Sequence, residues 1–242
     1  MENRMNPRMP AAVSERGTSL REAPGAGWWW TAWAGPRIAA GMTDRLTDRG
    51  ALRPFGRPPR HIIEAEQVHG ASSAIVECAQ AAPITGCDAL ITARPGLALC
   101  IRTADCLPIF MADAARGIVA LAHAGWRGLA AQLPARVIAL LRSAYRVRAS
   151  DLRVAIGPAI HGCCYEVGPE FAGAFGRFVA ERNGRRTCDL IGAAVEQLQR
   201  CGVPVPRIAD SGLCTACDVD RWFSLRREGP STGRLTSLIM LR

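Results

Sequence analysis

Between residues 73 and 123 the chain carries five short runs rich in Ile, Val, Leu and Ala, at 73–78, 88–92, 97–102, 107–112 and 118–123. Only short intervals separate them, with Gly96, Gly117 and the polar stretch 113–116 as punctuation. Such brevity leaves no room for the helix that a repeating βαβ unit places between parallel strands. A sheet built this way is mixed and partly antiparallel. Helical periodicity begins only afterwards, over 129–145, where apolar residues recur at 129, 133, 137, 140 and 141. Pro134 suits a first helical turn, so the regular part starts there. Two further helices are expected over 169–179, opened by Pro169, and over 189–199, opened by Asp189. Strands are expected at 152–156 and 235–241. The fold class that follows is α/β, a mixed sheet covered by helices.

Composition narrows the classes further. At 242 residues, with 49% hydrophobic and 21% charged residues, the chain suits a folded globular protein that needs no staple to hold a core. No uninterrupted apolar stretch of about 18 residues exists, which excludes a transmembrane helix. The net charge of +9 comes from the ends. Residues 1–60 carry ten Arg against five acids, residues 221–242 carry five Arg against one Glu, and the middle is balanced. All the basic residues are Arg, and none is Lys. A nucleic-acid binder concentrates charge on its folded module, so neither nucleic acid nor membrane is expected as a partner.

Residues 1–27 mix Arg, Glu, Pro, Gly and Ser without a period and read as a mobile tail. Trp28, Trp29, Trp30 and Trp33 then crowd together and read as a segment packing its rings on the body. On this basis 1–35 is a flexible N-terminal extension and 36–242 the domain. No secretory signal is visible at the N-terminus. The ten Cys therefore read as reduced thiols in a cytoplasm.

Several segments place reactive side chains in tight, mostly Gly-bounded settings. His123 ends an expected buried strand and runs into a Gly-x-x-Gly turn before a helix. A side chain there faces a cleft while its backbone stays fixed. Asp105 and Cys106 sit between two apolar strands, and a buried Asp needs a partner. His69, followed by Gly70, approaches from a loop. Two imidazoles and one thiolate suit a zinc ion with one open position. The same residues, without metal, form a nucleophile and base pair for acyl or amide hydrolysis. A third possibility is a structural zinc held by Cys163, Cys164, Cys214 and Cys217, set against ordinary thiols. Residue types and spacing leave these alternatives open.

As a set, the segments resemble one family. They are Gln67-Val68-His69-Gly70, Asp88-Ala89-Leu90-Ile91-Thr92, Thr103-Ala104-Asp105-Cys106-Leu107-Pro108, His123-Ala124-Gly125-Trp126-Arg127-Gly128 and Ile156-Gly157-Pro158. Cys163-Cys164-Tyr165-Glu166-Val167-Gly168, Arg226-Arg227 and Thr232-Gly233-Arg234 complete the order. The family is the one long labelled multicopper polyphenol oxidase, or laccase-domain protein, and now described as purine nucleoside phosphorylase. The likeness runs from about residue 61 to 240.

The resemblance implies a single α/β domain with a mixed sheet sandwiched by helices, a fold compared with cysteine-hydrolase-like toxin domains. It implies His69, Cys106 and His123 as metal ligands, with zinc favoured over copper. It also implies phosphate-dependent cleavage of adenosine, inosine, guanosine and methylthioadenosine, with adenosine deamination besides. Asp105 joins the three ligands as a catalytic candidate, and Gln67, Arg102 and Arg127 are the candidates for holding substrate and phosphate. Arg127 is equally a candidate partner for Asp105. Glu166 reads as an acid–base group or a solvated carboxylate. The usual zinc deaminases carry His-x-Glu and Pro-Cys-x-x-Cys, and neither is present here. Laccase chemistry needs a large His set, and the chain has four His. Copper at one two-His, one-Cys site is the route left to the older label. The chain departs from the family at three places: only Thr43-Asp44-Arg45 echoes the usual N-terminal motif, His161 stands for a small residue, and Leu225 stands for an aromatic or His.

Overall fold

A computed structural model describes residues 19–23, 25, 27–31 and 33–242. Its strands in chain order are β1 (Ser19–Ala23), β2 (Gly27–Thr31), β3 (Ile38–Met42), β4 (His61–Glu64), β5 (Ser73–Ile75), β6 (Ala89–Thr92) and β7 (Leu97–Thr103). There follow β8 (Leu107–Asp113), β9 (Ile118–Ala124), β10 (Arg153–Ile156), β11 (Val179–Arg182), β12 (Arg185–Cys188), β13 (Ile208–Asp210) and β14 (Leu235–Leu241). The helices are α1 (Trp126–Ala130), α2 (Leu133–Tyr145), α3 (Phe171–Phe175), α4 (Leu190–Arg200) and α5 (Leu225–Glu228).

The strands form two six-stranded sheets, ordered β1-β2-β3-β14-β7-β4 and β13-β10-β8-β9-β6-β5, with β11–β12 as a separate hairpin. Both are mixed. β4 with β7, β5 with β6 and β10 with β13 run parallel, and the other neighbours run antiparallel. The mixed α/β single domain expected from the sequence holds, with two mixed sheets in place of one, layered sheet, sheet, helices. The side-chain period of two explains why. Along β8, Leu107, Ile109 and Met111 join a core that includes Val137 and Leu141 of α2 and Leu190 and Leu198 of α4. Phe110 and Ala112 face the other way, into a core shared with Leu99, Ile101 and Ile239 of the first sheet. Strands apolar on both faces need cover on both.

The N-terminal boundary also changes. Within the 1–35 segment expected as an extension, β1 and β2 pair as an antiparallel hairpin and β2 joins β3 in the first sheet. Trp28, Trp30 and Trp33 are buried, with Trp28 packed on Trp222 and Trp33 edge-on to Phe110. The rings do pack on the body, and they bring their strand with them. The remainder of the expected tail, 1–18, lies outside the described residues.

The helix expected over 129–145 is two helices. Gln132 between them is left-handed at φ 62°, which interrupts the α1 ladder, and Pro134 opens the first turn of α2. The helix expected over 169–179 shrinks to α3, because Gly176 turns out of helical geometry at φ 46°. β11 and β12 follow, joined by Asn183-Gly184 with both residues at positive φ, the pairing that tight hairpin turns favour. Asp189 caps α4 as expected, accepting from the Gly192 N–H at 2.9 Å.

Candidate active site

The candidate site forms where β6, β8 and β9 end together. His123 lies one residue from the end of β9, and its ring is buried. Asp88, fully buried just before β6, accepts from His123 Nδ1 at 2.8 Å. A carboxylate there keeps the proton on Nδ1 and leaves Nε2 free to face Cys106, just before β8. The same carboxylate accepts the backbone N–H of His69 at 2.9 Å and of Gly70 at 2.7 Å. One buried Asp therefore sets both the ring of one His and the loop carrying the other. The loop adopts an uncommon backbone, with His69 at φ 59° and Gln67 at φ 63°.

The donor atoms of His69, Cys106 and His123 all lie within 4.8 Å of one another. The two imidazoles meet edge to face, 4.8 Å between centroids. Gly125 keeps the space beside them open: a Cβ there would stand 3.0 Å from Cys106 Sγ and 3.4 Å from His69 Cδ2. Burial raises the Cys106 thiol, but hydrogen bonds with His123 and His69 outweigh it and draw it down to about 7. Burial lowers His123, and Asp88 with Cys106 outweigh that, lifting it to about 9. Asp88 is raised by burial, yet the His123 ring and the Gly70 and His69 N–H groups hold it below the ordinary carboxylate range. Two nitrogens and a readily ionised sulfur, with an ordered outer partner, fit a transition-metal ion of the zinc or copper class.

The cleft over these residues has a volume of about 350 Å³. His69, Cys106, Asp105 and Arg127 line it, as do Trp126, Ile160, Tyr165, Leu190, Leu225 and Arg226. Arg127 lies over the Trp126 ring at 4.4 Å, and Arg226 lies over the Tyr165 ring at 4.9 Å. Asp105 is committed elsewhere. Its carboxylate accepts from Thr215 Oγ1 at 2.7 Å, Ser224 Oγ at 2.8 Å and the Arg226 N–H at 2.7 Å. Its partners are thus Thr215, Ser224 and Arg226, not Arg127, and they tie the end of the chain to the cleft.

Two expected substrate contacts stand outside the cleft lining. The Gln67 amide clamps the Arg102 backbone, donating to its C=O at 2.6 Å and accepting its N–H at 2.8 Å. The Arg102 guanidinium pairs with Glu64 at 3.1 Å. Glu166 pairs with Arg185 at 2.9 Å and faces solvent, so its reading as an acid–base group gives way to that of a solvated carboxylate. His161 is half-buried, its N–H directed at Cys214 Sγ. Sequence reasoning left Asp88, Trp126, Tyr165 and Arg226 without roles. Asp88 carried a signal, a carboxylate opening an apolar strand, whereas Arg226 reaches the site only through the fold.

A second cluster joins Cys163, Cys164, Cys214 and Cys217, whose sulfurs also lie within 4.8 Å of one another.

The sequence profile described as multi-copper polyphenol oxidoreductase laccase matches residues 47–242. The purine nucleoside phosphorylase YlmD of Geobacillus stearothermophilus is 32% identical over 223 residues, 85% of this chain and 81% of that protein. The crystal structure of YlmD superposes with a TM-score of 0.83 at 27% identity, covering 93% of this chain and 99% of that one. A purine nucleoside phosphorylase of Deinococcus radiodurans is 38% identical over 221 residues, 86% of this chain and 84% of its own length. Adenosine deaminase RL5, from an unknown prokaryotic organism, is 36% identical over 165 residues, 64% of this chain and 62% of that protein.

Proposed function

This chain belongs to the multi-copper polyphenol oxidoreductase laccase family, and on that premise we propose that it is a zinc-dependent purine nucleoside phosphorylase. Its substrates are adenosine, inosine, guanosine and methylthioadenosine with inorganic phosphate, and adenosine deamination is a second activity of the same cleft. The observation that carries this reading is the convergence of His69 and Cys106, which line the cleft, with His123, buried behind them, beside two guanidinium–aromatic stacks. The names of YlmD, of the Deinococcus protein and of RL5 support the two reaction types.

In phosphorolysis a phosphate oxygen bonds to C1′ of the ribose as the bond to the purine nitrogen breaks and the base leaves with the electron pair. Arg127 and Arg226 hold the phosphate, because guanidinium groups match its oxygens and gain strength in a partly dry cleft. Trp126 and Tyr165 offer flat walls to the purine. Asp88 fixes the His123 tautomer and the His69 loop. Asp105 acts as a positioning residue, holding the α5 segment and Arg226 against the cleft. His69, Cys106 and His123 would hold a zinc ion, which when bound would supply Lewis acidity to the reaction.

All ten cysteines are free thiols, which suits the reducing cytoplasm in which we place the protein. Among the described residues no helix is long and apolar enough to cross a membrane. One observation favours a second reading: the Cys106 thiol, drawn to about 7 between two imidazoles, is also the nucleophile of a metal-free Cys/His hydrolase. The deciding experiment incubates inosine with zinc-loaded protein, with and without phosphate, and separates the products. Ribose-1-phosphate and hypoxanthine, formed only with phosphate and lost in Cys106→Ala, are expected. An unchanged nucleoside pool, with metal-free protein cleaving an activated ester, would replace this reading by the hydrolase.

A further inference from the structure

We propose that Cys163, Cys164, Cys214 and Cys217 form a second, closed metal site that binds one zinc ion and locks together two loops beside the cleft. It uses none of the residues of the first cluster.

The sulfur spacing carries the inference. Cys163 Sγ stands 3.7 Å from Cys164, 3.7 Å from Cys214 and 3.5 Å from Cys217, and Cys164 stands 3.4 Å from Cys217. A tetrahedral zinc with bonds of about 2.3 Å spaces its sulfurs about 3.8 Å apart. A disulfide requires about 2.05 Å, so every one of these pairs is far too long to be one. Apolar packing does not explain the convergence either, because Cys163 and Cys217 are exposed. Local geometry turns the adjacent Cys163 and Cys164 toward one centre. Residues 162–164 form a turn in which the Cys164 and Tyr165 N–H groups both donate to the His161 carbonyl. Cys214 to Cys217 is a second turn, closed by the Cys217 N–H on the Cys214 carbonyl at 3.3 Å.

The outer partners fit a metal thiolate. The His161 N–H donates to Cys214 Sγ at 3.4 Å, and the N–H groups of Ala216 and Cys217 face the same sulfur. Backbone donors around sulfur stand in for the Gly knuckle that the sequence lacks. Four soft sulfur donors select zinc over hard cations, and four protein ligands would fill its coordination shell, which makes the site structural. Its location gives it a task. The two loops meet through single backbone bonds, Ala159 N–H to Leu213 at 3.2 Å and Thr215 N–H to Ala159 at 3.0 Å. They carry Ile160 and Tyr165 of the cleft wall, and Thr215 anchors Asp105.

The test uses the full chain with His69→Ala and Cys106→Ala, which removes the first cluster. Purified from zinc-supplemented cells, this variant is expected to hold one zinc per chain. Zinc-edge X-ray absorption should show four sulfur neighbours at about 2.3 Å. Replacing zinc with Co2+ should produce the intense visible spectrum of a tetrahedral cobalt thiolate. Adding Cys163→Ser and Cys217→Ser should take the metal from one per chain to none. If that last variant does not fold, the absorption measurement decides alone. A protein that takes up neither zinc nor cobalt, a site with fewer than four sulfurs, iron in place of zinc, or a mapped disulfide among the four would each overturn the proposal. One zinc retained here by a protein whose wild type cleaves no nucleoside would leave this site standing and remove the function proposed above.

Discussion

The two clusters of metal-binding character differ in what holds their donors. Cys106 and His123 stand at or beside the ends of buried strands, His69 stands on the loop between β4 and β5, and the carboxylate of Asp88 holds both the His123 ring and the His69 loop. Exposure grades across this cluster from buried His123 to exposed His69, leaving one side for a substrate. Cys163, Cys164, Cys214 and Cys217 stand on two loops outside any named strand or helix, which meet through two backbone hydrogen bonds at Ala159 and the His161 N–H on Cys214 Sγ. A site held by a sheet keeps its shape when the metal leaves. A site whose loops are joined by the metal itself loses order with it. Chemistry and stability are therefore expected to respond to different substitutions.

The largest effect expected is Cys106→Ala, a loss of nucleoside turnover of about 10³-fold or more with little change in the melting temperature. Cys163→Ser with Cys217→Ser should show the reverse, a lower melting temperature with most of the turnover retained at low temperature. Parallel thermal melts and initial rates of the two variants check both, and equal responses would break the comparison. Asp88→Asn comes next. It keeps the shape and removes the charge that orients His123 and the His69 loop, so zinc affinity is expected to fall about 10–100-fold, measured by competition with a chromogenic chelator. Arg127→Ala is expected to raise the KM for phosphate about tenfold with a smaller change for the nucleoside, which steady-state kinetics in both substrates would resolve.

The smallest effect sharpens the electrostatics. In metal-free protein the reactive form of Cys106 is the thiolate, so its alkylation by iodoacetamide should rise with pH through about 7. Burial raises this thiol and the imidazoles lower it. His123→Ala removes the larger of the two imidazole contributions, so the midpoint should move upward. Mass-spectrometric rates at Cys106 across pH 5–10 would show it, and an unmoved midpoint would deny the coupling.

The centre of both sheets was legible in the chain: β6, β8 and β9 of the second sheet and β7 of the first are apolar runs with Gly at two of the turns, and β14 of the first falls on the 235–241 run. α4 announced itself through Asp189, whose capping bond depends only on local spacing. The N-terminal strands of the first sheet were harder. β1 and β2 mix Trp with Arg, Glu and Gly, and their burial comes from pairing with β3 and from Trp222, almost 200 residues away. The Asn183-Gly184 hairpin had a local signal in its turn, but its two strands are short and carry Glu and Arg rather than an apolar run. At the site, the resemblance singled out His69, Cys106 and His123, and the fold brings them together. Gln67 and Arg102 share that neighbourhood in sequence, but Gln67 spends its amide on the Arg102 backbone and Arg102 its guanidinium on Glu64. Arg226 lay in a motif of the resemblance without a role, since long-range contacts with Asp105, Glu166 and Tyr165 deliver it to the cleft.

The most direct test of the central claim is adenosine turnover by wild-type protein stripped of metal, then restored with zinc, each with and without inorganic phosphate. The account predicts ribose-1-phosphate only when zinc and phosphate are both present, with inosine as the product of adenosine deamination independent of phosphate. Ribose-1-phosphate formed at full rate by the stripped protein, or no nucleoside consumed by the zinc-restored protein, would contradict it.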